Sequence, residues 1–329
     1  MVIPTLAADA VLVECLRSLE AQTFRDFEVI VVDNSGQGLA RRTAGEFSCK
    51  ILENSRNAGF GAAVNQGIEA SRARFVATLN DDAVAHAGWL GALVKALEAR
   101  PDAGMCASQV RLEGENLLDS AGMLISADGS SKQRGHRQPP ETFATEEEVL
   151  LPSASAALYR RSMLQEIGGF DGSFFLYSED TDLGLRARWA GWKCVYVPEA
   201  VVSHRYSHTA GRVSALKAYL VERNRLFVIA KNFPALALAK APLAALARYA
   251  WHAASLFGGR GAAAQFRREG GSGWKLVFYV LRSHLALAAH GPRLWKQRRE
   301  IRRRARIRPA EFQRLLERHS ISPREVAAL

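Results

Sequence analysis

An α/β domain on a mostly parallel sheet flanked by helices, followed by a basic helical region, is the fold class this sequence predicts. Three observations carry it. Short apolar strands alternate with helically spaced segments through the first hundred residues. The strands are near-continuously apolar, as in Phe27–Val32, which suits burial on both faces of a parallel sheet. Charge then changes sign near residue 211: residues 1–211 hold 20 Lys and Arg against 27 Asp and Glu (−7), and residues 212–329 hold 24 against 6 (+18). The chain of 329 residues, 48% hydrophobic, is long enough for a large domain with an appendage. The expected division is residues 1–211 as the α/β part and residues 212–329 as a basic, mainly helical region that meets something anionic.

Taken in order, Val2–Thr5 reads as the end of a first strand stopped by proline, short enough to suggest a clipped or late-started N-terminus. Ala10–Gln22 has helical spacing at Val11, Leu12, Cys15, Leu16 and Leu19. Phe27–Val32 is the second strand and ends in Asp33-Asn34-Ser35-Gly36, a good turn in any protein. Lys50–Leu52 is a third. The glycine-rich stretch Asn54–Gly67 makes a loop that opens a helix over Ala62–Ser71, where backbone amides can face a phosphate. Strand Phe75–Leu79 ends in Asn80-Asp81-Asp82, a helix spans Gly88–Arg100, and Ala103–Gln109 is another strand. A polar region follows up to about Thr145, in which Gly129–Gly135 reads as a mobile surface loop. Leu151–Tyr159 is a strand of small residues, and Arg160-Arg161 opens a helix that stops at Gly168-Gly169.

Two acid clusters stand out. Asp81 and Asp82 at a buried strand end are costly together unless a cation neutralises them, and hard oxygens of this kind suit Mg²⁺ or Mn²⁺ holding a diphosphate. The competing reading makes Asp82 the cap of the next helix. Glu179, Asp180 and Asp182 follow the aromatic run Phe174–Tyr177 and precede a helix, a strand over Cys194–Val197, and His204. Acids beside buried aromatics have tunable pKa values and suit base work, while Glu179 or Asp182 could equally cap the helix.

Pro4-Thr5, Asp33-Asn34, Asn57-Ala58-Gly59-Phe60-Gly61 with Asn65, Asn80-Asp81-Asp82, Gly168-Gly169-Phe170-Asp171 and Glu179-Asp180-x-Asp182, then His204, fall in one order. That order resembles the family 2 inverting glycosyltransferases of GT-A (nucleotide-diphospho-sugar transferase-like) fold, in their rhamnosyltransferase-like branch. The resemblance covers roughly residues 1–232, ending on Val221–Arg225. It implies a catalytic base at Asp180 and a divalent metal, Mg²⁺ or Mn²⁺, on Asp82 and His204. It also implies substrate-binding roles for Pro4, Thr5, Asp33 and Asn34, for Asn57, Gly59 and Asn65, and for Asn80, Asp81 and Glu179. Within that set Thr5 and Asp33 would line the nucleotide pocket, with Asp33 accepting from the base. The implied partners are a dTDP- or UDP-sugar donor and a glycan or lipid-linked acceptor in cell-surface polysaccharide synthesis. This chain departs from many relatives in carrying Leu6-Ala7 after the Pro-Thr pair, where a polar residue is usual.

Inversion fits the residues independently of the name, since it needs a base for the acceptor hydroxyl and a cation for the departing diphosphate. A sugar nucleotidyltransferase would want a glycine-rich basic loop after the first strand, which Pro4–Ala7 lacks. A non-enzymatic scaffold or nucleic-acid binder would not need Asp82 and Asp180 intact. The basic region, including an amphipathic helix over 213–232, a helix over Trp274–His290 and the cationic run Arg293–Arg308, is expected to lie on an anionic membrane face. No nucleic acid is expected. Cys15, Cys49, Cys106 and Cys194 match no metal spacing and read as reduced thiols. With no signal peptide and no apolar run of about 18 residues, a cytoplasmic protein, peripheral on the inner membrane face, is expected.

Overall fold

A computed structural model describes residues 1–6, 9–205, 215–257 and 273–328. The chain divides into two compact units, Met1–Met123 with Gln133–Thr209, and Leu124–Lys132 with Ala210–Leu329.

The first unit is a mixed α/β sheet domain. Its elements run β1 (Val2–Thr5), α1 (Ala10–Glu20), β2 (Ile30–Asp33), α2 (Leu39–Ala44), β3 (Lys50–Glu53), α3 (Phe60–Ala70), β4 (Phe75–Leu79), β5 (Ala83–Ala85), α4 (Trp89–Ala99), β6 (Ala103–Leu112) and β7 (Leu118–Ser120). After the β8 (Met123–Ile125) and β9 (Ser131–Gln133) hairpin come β10 (Glu147–Val149), β11 (Ala156–Arg160), α5 (Arg161–Ile167), α6 (Glu179–Trp189) and β12 (Lys193–His204). The sheet order is β10-β12-β6-β11-β4-β1-β2-β3, with β5 paired to β12 and β7 to β6. β3, β2, β1 and β4 are parallel, as are β6 and β12; β11 runs against both β4 and β6.

Alternation along the strands divides the core in two. Ile3, Val31 and Ala77 face α1, α2 and α4, whereas Val2, Ile30, Val32 and Val76 face α3, α5 and α6. β2 starts at Ile30, in register with Val2, so Phe27–Val29 lie outside the strand expected from the apolar run. Strand order reverses between β1 and β4, and ligands of such sheets bind beyond the carboxyl ends at that switch. Thr5, Asp33 and Asn80-Asp81-Asp82 all lie there.

Asp82 does not cap the following helix: Gly88 is the N-cap of α4, and β5 intervenes. The expected mobile loop at Gly129–Gly135 is instead the turn and second strand of a hairpin. Asp128 at that turn is fully buried, and Gly129 sits at φ +83, where a Cβ would meet Ile229 at 2.4 Å. Cys15, Cys106 and Cys194 are buried core thiols.

The second unit adds α7 (Ala215–Asn232), α8 (Ala235–Phe257) and the helices Gly273–Arg303, Pro309–Arg318 and Pro323–Ala328. α7 does not present the surface face expected of it. From Asn224 to Ile229 it is buried all round and it packs along the helix Gly273–Arg303. The hairpin tip is tied in by ions: Arg248 Nε donates to Asp128 Oδ2 at 2.5 Å and its Nη2 to Glu222 Oε2 at 2.7 Å. Arg225 donates to the Asp128 carbonyl at 2.6 Å and pairs with Glu222, which also accepts from Tyr249. No helix among the described residues is long and apolar enough to cross a membrane.

Candidate active site

At the carboxyl end of β1 the Thr5 hydroxyl hydrogen-bonds the Asp81 carboxylate. Burial pushes the Asp81 carboxyl up to about 6; the Thr5 bond opposes the shift and the Asp82 charge adds to it. Pro4 and Thr5 pair in register with Val32 and Asp33, and Asn34 N donates to Thr5 O at 2.8 Å. Asp33 is fully buried, its Oδ1 accepting from Ser35 N and its Oδ2 from Ala40 N, both at 2.8 Å. It organises the turn from β2 into α2.

The asparagines hold backbone. Asn34 Oδ1 accepts from Asn54 at 2.7 Å while its Nδ2 donates to Gly59 O at 3.3 Å. Asn57 Oδ1 accepts from Gly59 N at 2.8 Å. Asn65 grips Phe170 with both ends of its amide, at 2.7 and 2.9 Å. Gly59, at φ +85, lets this loop lie against the segment before α6: a Cβ there would be 2.4 Å from Phe175 O, which accepts from Phe60 N at 2.8 Å.

That segment is strained. Phe175, Tyr177 and Ser178 all have positive φ (65, 71 and 64°), a region costly for residues with a Cβ. It delivers Glu179 and Asp180 at the first turn of α6, where the helix dipole favours negative charge. Ser178 is the N-cap, so neither Glu179 nor Asp182 is. Asp182 instead pairs with Arg186 at 2.8 Å, and Arg186 donates to the carbonyls of Ile167, Gly168 and Gly169. Asp182 is an anchor for that turn.

Asp180 accepts from Thr181 N at 2.6 Å, from the Thr181 hydroxyl at 3.3 Å and from Ala154 N at 3.3 Å. The next residue, Ser155, accepts Asn80 N at 2.8 Å, so Asp180 stands beside the end of β4. Burial raises both acids, Glu179 to about 8, with the Asp180 charge adding to the Glu179 shift. Three hydrogen bonds favour the anion of Asp180, whereas the buried Glu179 Oε2 accepts none. Of the two, Asp180 is the better placed to ionise.

Asp82 and His204 meet on the same side of the sheet. His204 pairs with Ala83 across β5 and β12, and its Nε2 is 3.1 Å from Asp82 Oδ1 without the alignment of a hydrogen bond. Asn80 Nδ2 is 3.3 Å from the same nitrogen. His204 Nδ1 is 2.9 Å from Asp119 Oδ2, a carboxylate that sequence reading missed. Burial disfavours charge on His204, but Asp119 and Asp82 outweigh it and raise its pKa to about 10. Burial likewise opposes ionisation of Asp119, and His136 and His204 overcome it, lowering its pKa.

These residues fit a divalent cation. Neighbouring ligands at about 2.1 Å from an octahedral metal are about 3 Å apart, the spacing of Nε2 and Oδ1 here. Asp82 Oδ1 is buried and accepts no hydrogen bond among the described residues. No group of three His, Cys, Asp or Glu among those residues could hold an ion. Two protein ligands leave the other positions to a diphosphate and water, the usual habit of Mg²⁺ sites.

Comparison with known proteins identifies the family and the fold. The model of glycosyl transferase family 2 matches residues 1–168, and that of glycosyl transferase family group 2 matches residues 130–289. An N-acetylglucosaminyl-diphospho-decaprenol L-rhamnosyltransferase of Mycobacterium tuberculosis is 33% identical over 222 residues, 60% of this chain and 72% of the relative. The O-antigen chain rhamnosyltransferase WbaN of Salmonella anatum is 24% identical over 221 residues, 64% of this chain and 66% of the relative. Among solved structures, the mannosyltransferase PcManGT of Pyrobaculum calidifontis, in complex with GDP-Man and Mn²⁺, has a TM-score of 0.54 at 19% identity. It covers 94% of this chain and 86% of its own. GalNAc-T7 with UDP, GalNAc and Mn²⁺ has a TM-score of 0.58 at 14% identity, covering 72% and 48%. The sheet is therefore that of the GT-A glycosyltransferases, and the chain belongs to glycosyltransferase family 2, in its rhamnosyltransferase-like branch.

Proposed function

We propose that the protein inverts the anomeric centre of a nucleoside-diphosphate sugar, rhamnose in a dTDP- or UDP-linked donor, as it transfers the sugar to a lipid-linked or glycan acceptor. The observation that carries this reading is the asymmetric Glu179–Asp180 pair beside the end of β4. Asp180, its anion held by Ala154 and Thr181, takes the proton of the acceptor hydroxyl as that oxygen bonds to the anomeric carbon. The bond from that carbon to the phosphate oxygen breaks, and the nucleoside diphosphate leaves with the electron pair. Protonated Glu179 keeps a second negative charge out of the pocket. Asp82 and His204 would hold Mg²⁺ or Mn²⁺, which when bound supplies positive charge for the leaving diphosphate. Thr5 and Asp81 would contact the donor directly. Asp33, Asn34, Asn57, Gly59, Asn65 and Asn80 would shape the pocket through the backbone and side chains they hold.

The second unit supports a peripheral membrane role at the inner face of the cell membrane. Trp274, Val277, Phe278, Leu281 and Leu285 recur at three- and four-residue steps, and all are more than half exposed. Leu236, Leu243 and Leu246 are likewise exposed on α8. Apolar stripes within a region of charge +18 match an anionic bilayer surface.

Asp180→Asn tests the catalytic reading. Transfer should fall about 1,000-fold, with donor affinity measured calorimetrically nearly unchanged. Normal turnover in this variant would remove Asp180 as the base.

A further inference from the structure

Asp119 lies on β7, whose register with β6 joins Val110 to Ser120 and Arg111 to Leu118. Asp119 is thus an extra residue opposite no partner, a β-bulge, and bulges commonly re-aim a side chain. Here the bulge brings a carboxylate that is 3% exposed to 2.9 Å from His204 Nδ1. Its other oxygen lies 3.3 Å from His136 Nδ1. β7, β6, β12 and β5 lie side by side, and Asp119 reaches across β6 to His204, which stands opposite Leu112 on β6 and opposite Ala83, the residue after Asp82, on β5.

A buried carboxylate on a bulge is an expensive way to pack a sheet edge, since any apolar side chain would fill the space without desolvating a charge. Its effect is on the ring it touches. Imidazole has two nitrogens, and the partner of one decides what the other does. We propose that Asp119 is the positioning residue of the metal site: by accepting the Nδ1 proton of His204 it fixes the ring, so that Nε2, on yielding its proton to solvent, turns its lone pair to a cation shared with Asp82. The Asn80 amide nitrogen, 3.3 Å from Nε2, can only donate and so is compatible with a lone pair there once the proton has left. His136 Nδ1 lies 3.1 Å from the Asp119 carbonyl oxygen and so holds the backbone of the bulge. The inference rests on the metal reading of Asp82 and His204 given above. Partners of this kind typically strengthen metal affinity about 10- to 100-fold.

The test titrates Mn²⁺ into the full chain in the presence and absence of UDP or dTDP, following the six-line EPR signal of the free ion. Asp119→Ala should weaken Mn²⁺ binding about 10- to 100-fold, and Asp119→Asn by less because its amide oxygen still accepts. Nucleotide binding without metal should not move. Adding Asp119→Ala to His204→Ala should produce no further loss, which separates action through His204 from general loosening. If Asp119→Ala fails to fold, the near-isosteric Asp119→Asn carries the same comparison. Equal Mn²⁺ affinity in wild type and a folded Asp119 variant would overturn the inference. A wild-type chain that binds no Mn²⁺ with nucleotide would instead overturn the metal reading beneath it.

Discussion

Two buried ionic clusters, one in each unit, have opposite charge economies. Asp82 and Asp119 meet two imidazoles, His204 and His136, with Asp81 beside Asp82. Asp128 and Glu222 are met by two guanidiniums, Arg225 and Arg248, each closely hydrogen-bonded to them. In the second cluster each carboxylate meets both guanidiniums. The first meets its carboxylates with imidazoles alone and holds two buried carboxylate oxygens, Asp82 Oδ1 and Asp119 Oδ1, that accept no hydrogen bond among the described residues. Unmatched acceptors of this kind, more than the mere presence of acids, are what the proposed cation would satisfy.

The contrast is most exposed by neutralising one acid in each. Asp128→Asn should cost about 3–5 kcal/mol in denaturant unfolding, because it leaves two buried guanidiniums to the single carboxylate of Glu222. Asp82→Asn should cost no more than about 1 kcal/mol in metal-free protein, since relief of repulsion offsets the lost contact with His204. Equal losses would erase the distinction.

A smaller effect, opposite in sign for the two clusters, should follow pH. The His204 pKa is raised, to about 10, so its contribution is fully present below the ordinary histidine value of 6.5 and is lost as pH rises through about 10. For Glu222, burial opposes ionisation but Arg225 and Arg248 prevail and hold its pKa at about 2. Its contribution is present above the ordinary 4.5 and is lost as pH falls through about 2. Metal-free unfolding midpoints should therefore show an alkaline limb flattened by His204→Asn and an acid limb flattened by Glu222→Gln. A limb unchanged by its variant would detach that cluster from stability.

Smallest in folding terms is the surface of the second unit. Trp274→Ala with Phe278→Ala should leave the unfolding midpoint within about 0.5 kcal/mol and reduce sedimentation with vesicles containing phosphatidylglycerol. Undiminished binding would assign the membrane contact to charge alone.

Much of this was legible in the residue order. Asp82, Asp180 and His204 stand at strand and helix ends, where short motifs survive without knowledge of the fold, and apolar periodicity located most of the elements around them. Asp119 was not legible. It lies 85 residues from His204, in a polar stretch whose strands are three residues long and show no alternation. Asp128 hid for the same reason, and the glycine beside it suggested mobility where it serves close packing against Ile229. Asn65 was seen as a motif residue, but only the fold shows its amide spent on Phe170. The arginines of α7 suggested a surface helix, yet Arg225 is buried because its partners arrive from a distant hairpin.

The contact between Gly59 and Phe175 carries a genetic corollary. The backbone that aims Asp180 is held in an unfavourable conformation by a loop more than a hundred residues upstream, through a gap that admits no side chain. An allele replacing Gly59 with any other residue would therefore present as a defect in the placing of Asp180, and a suppressor screen begun from it would return changes around Phe175.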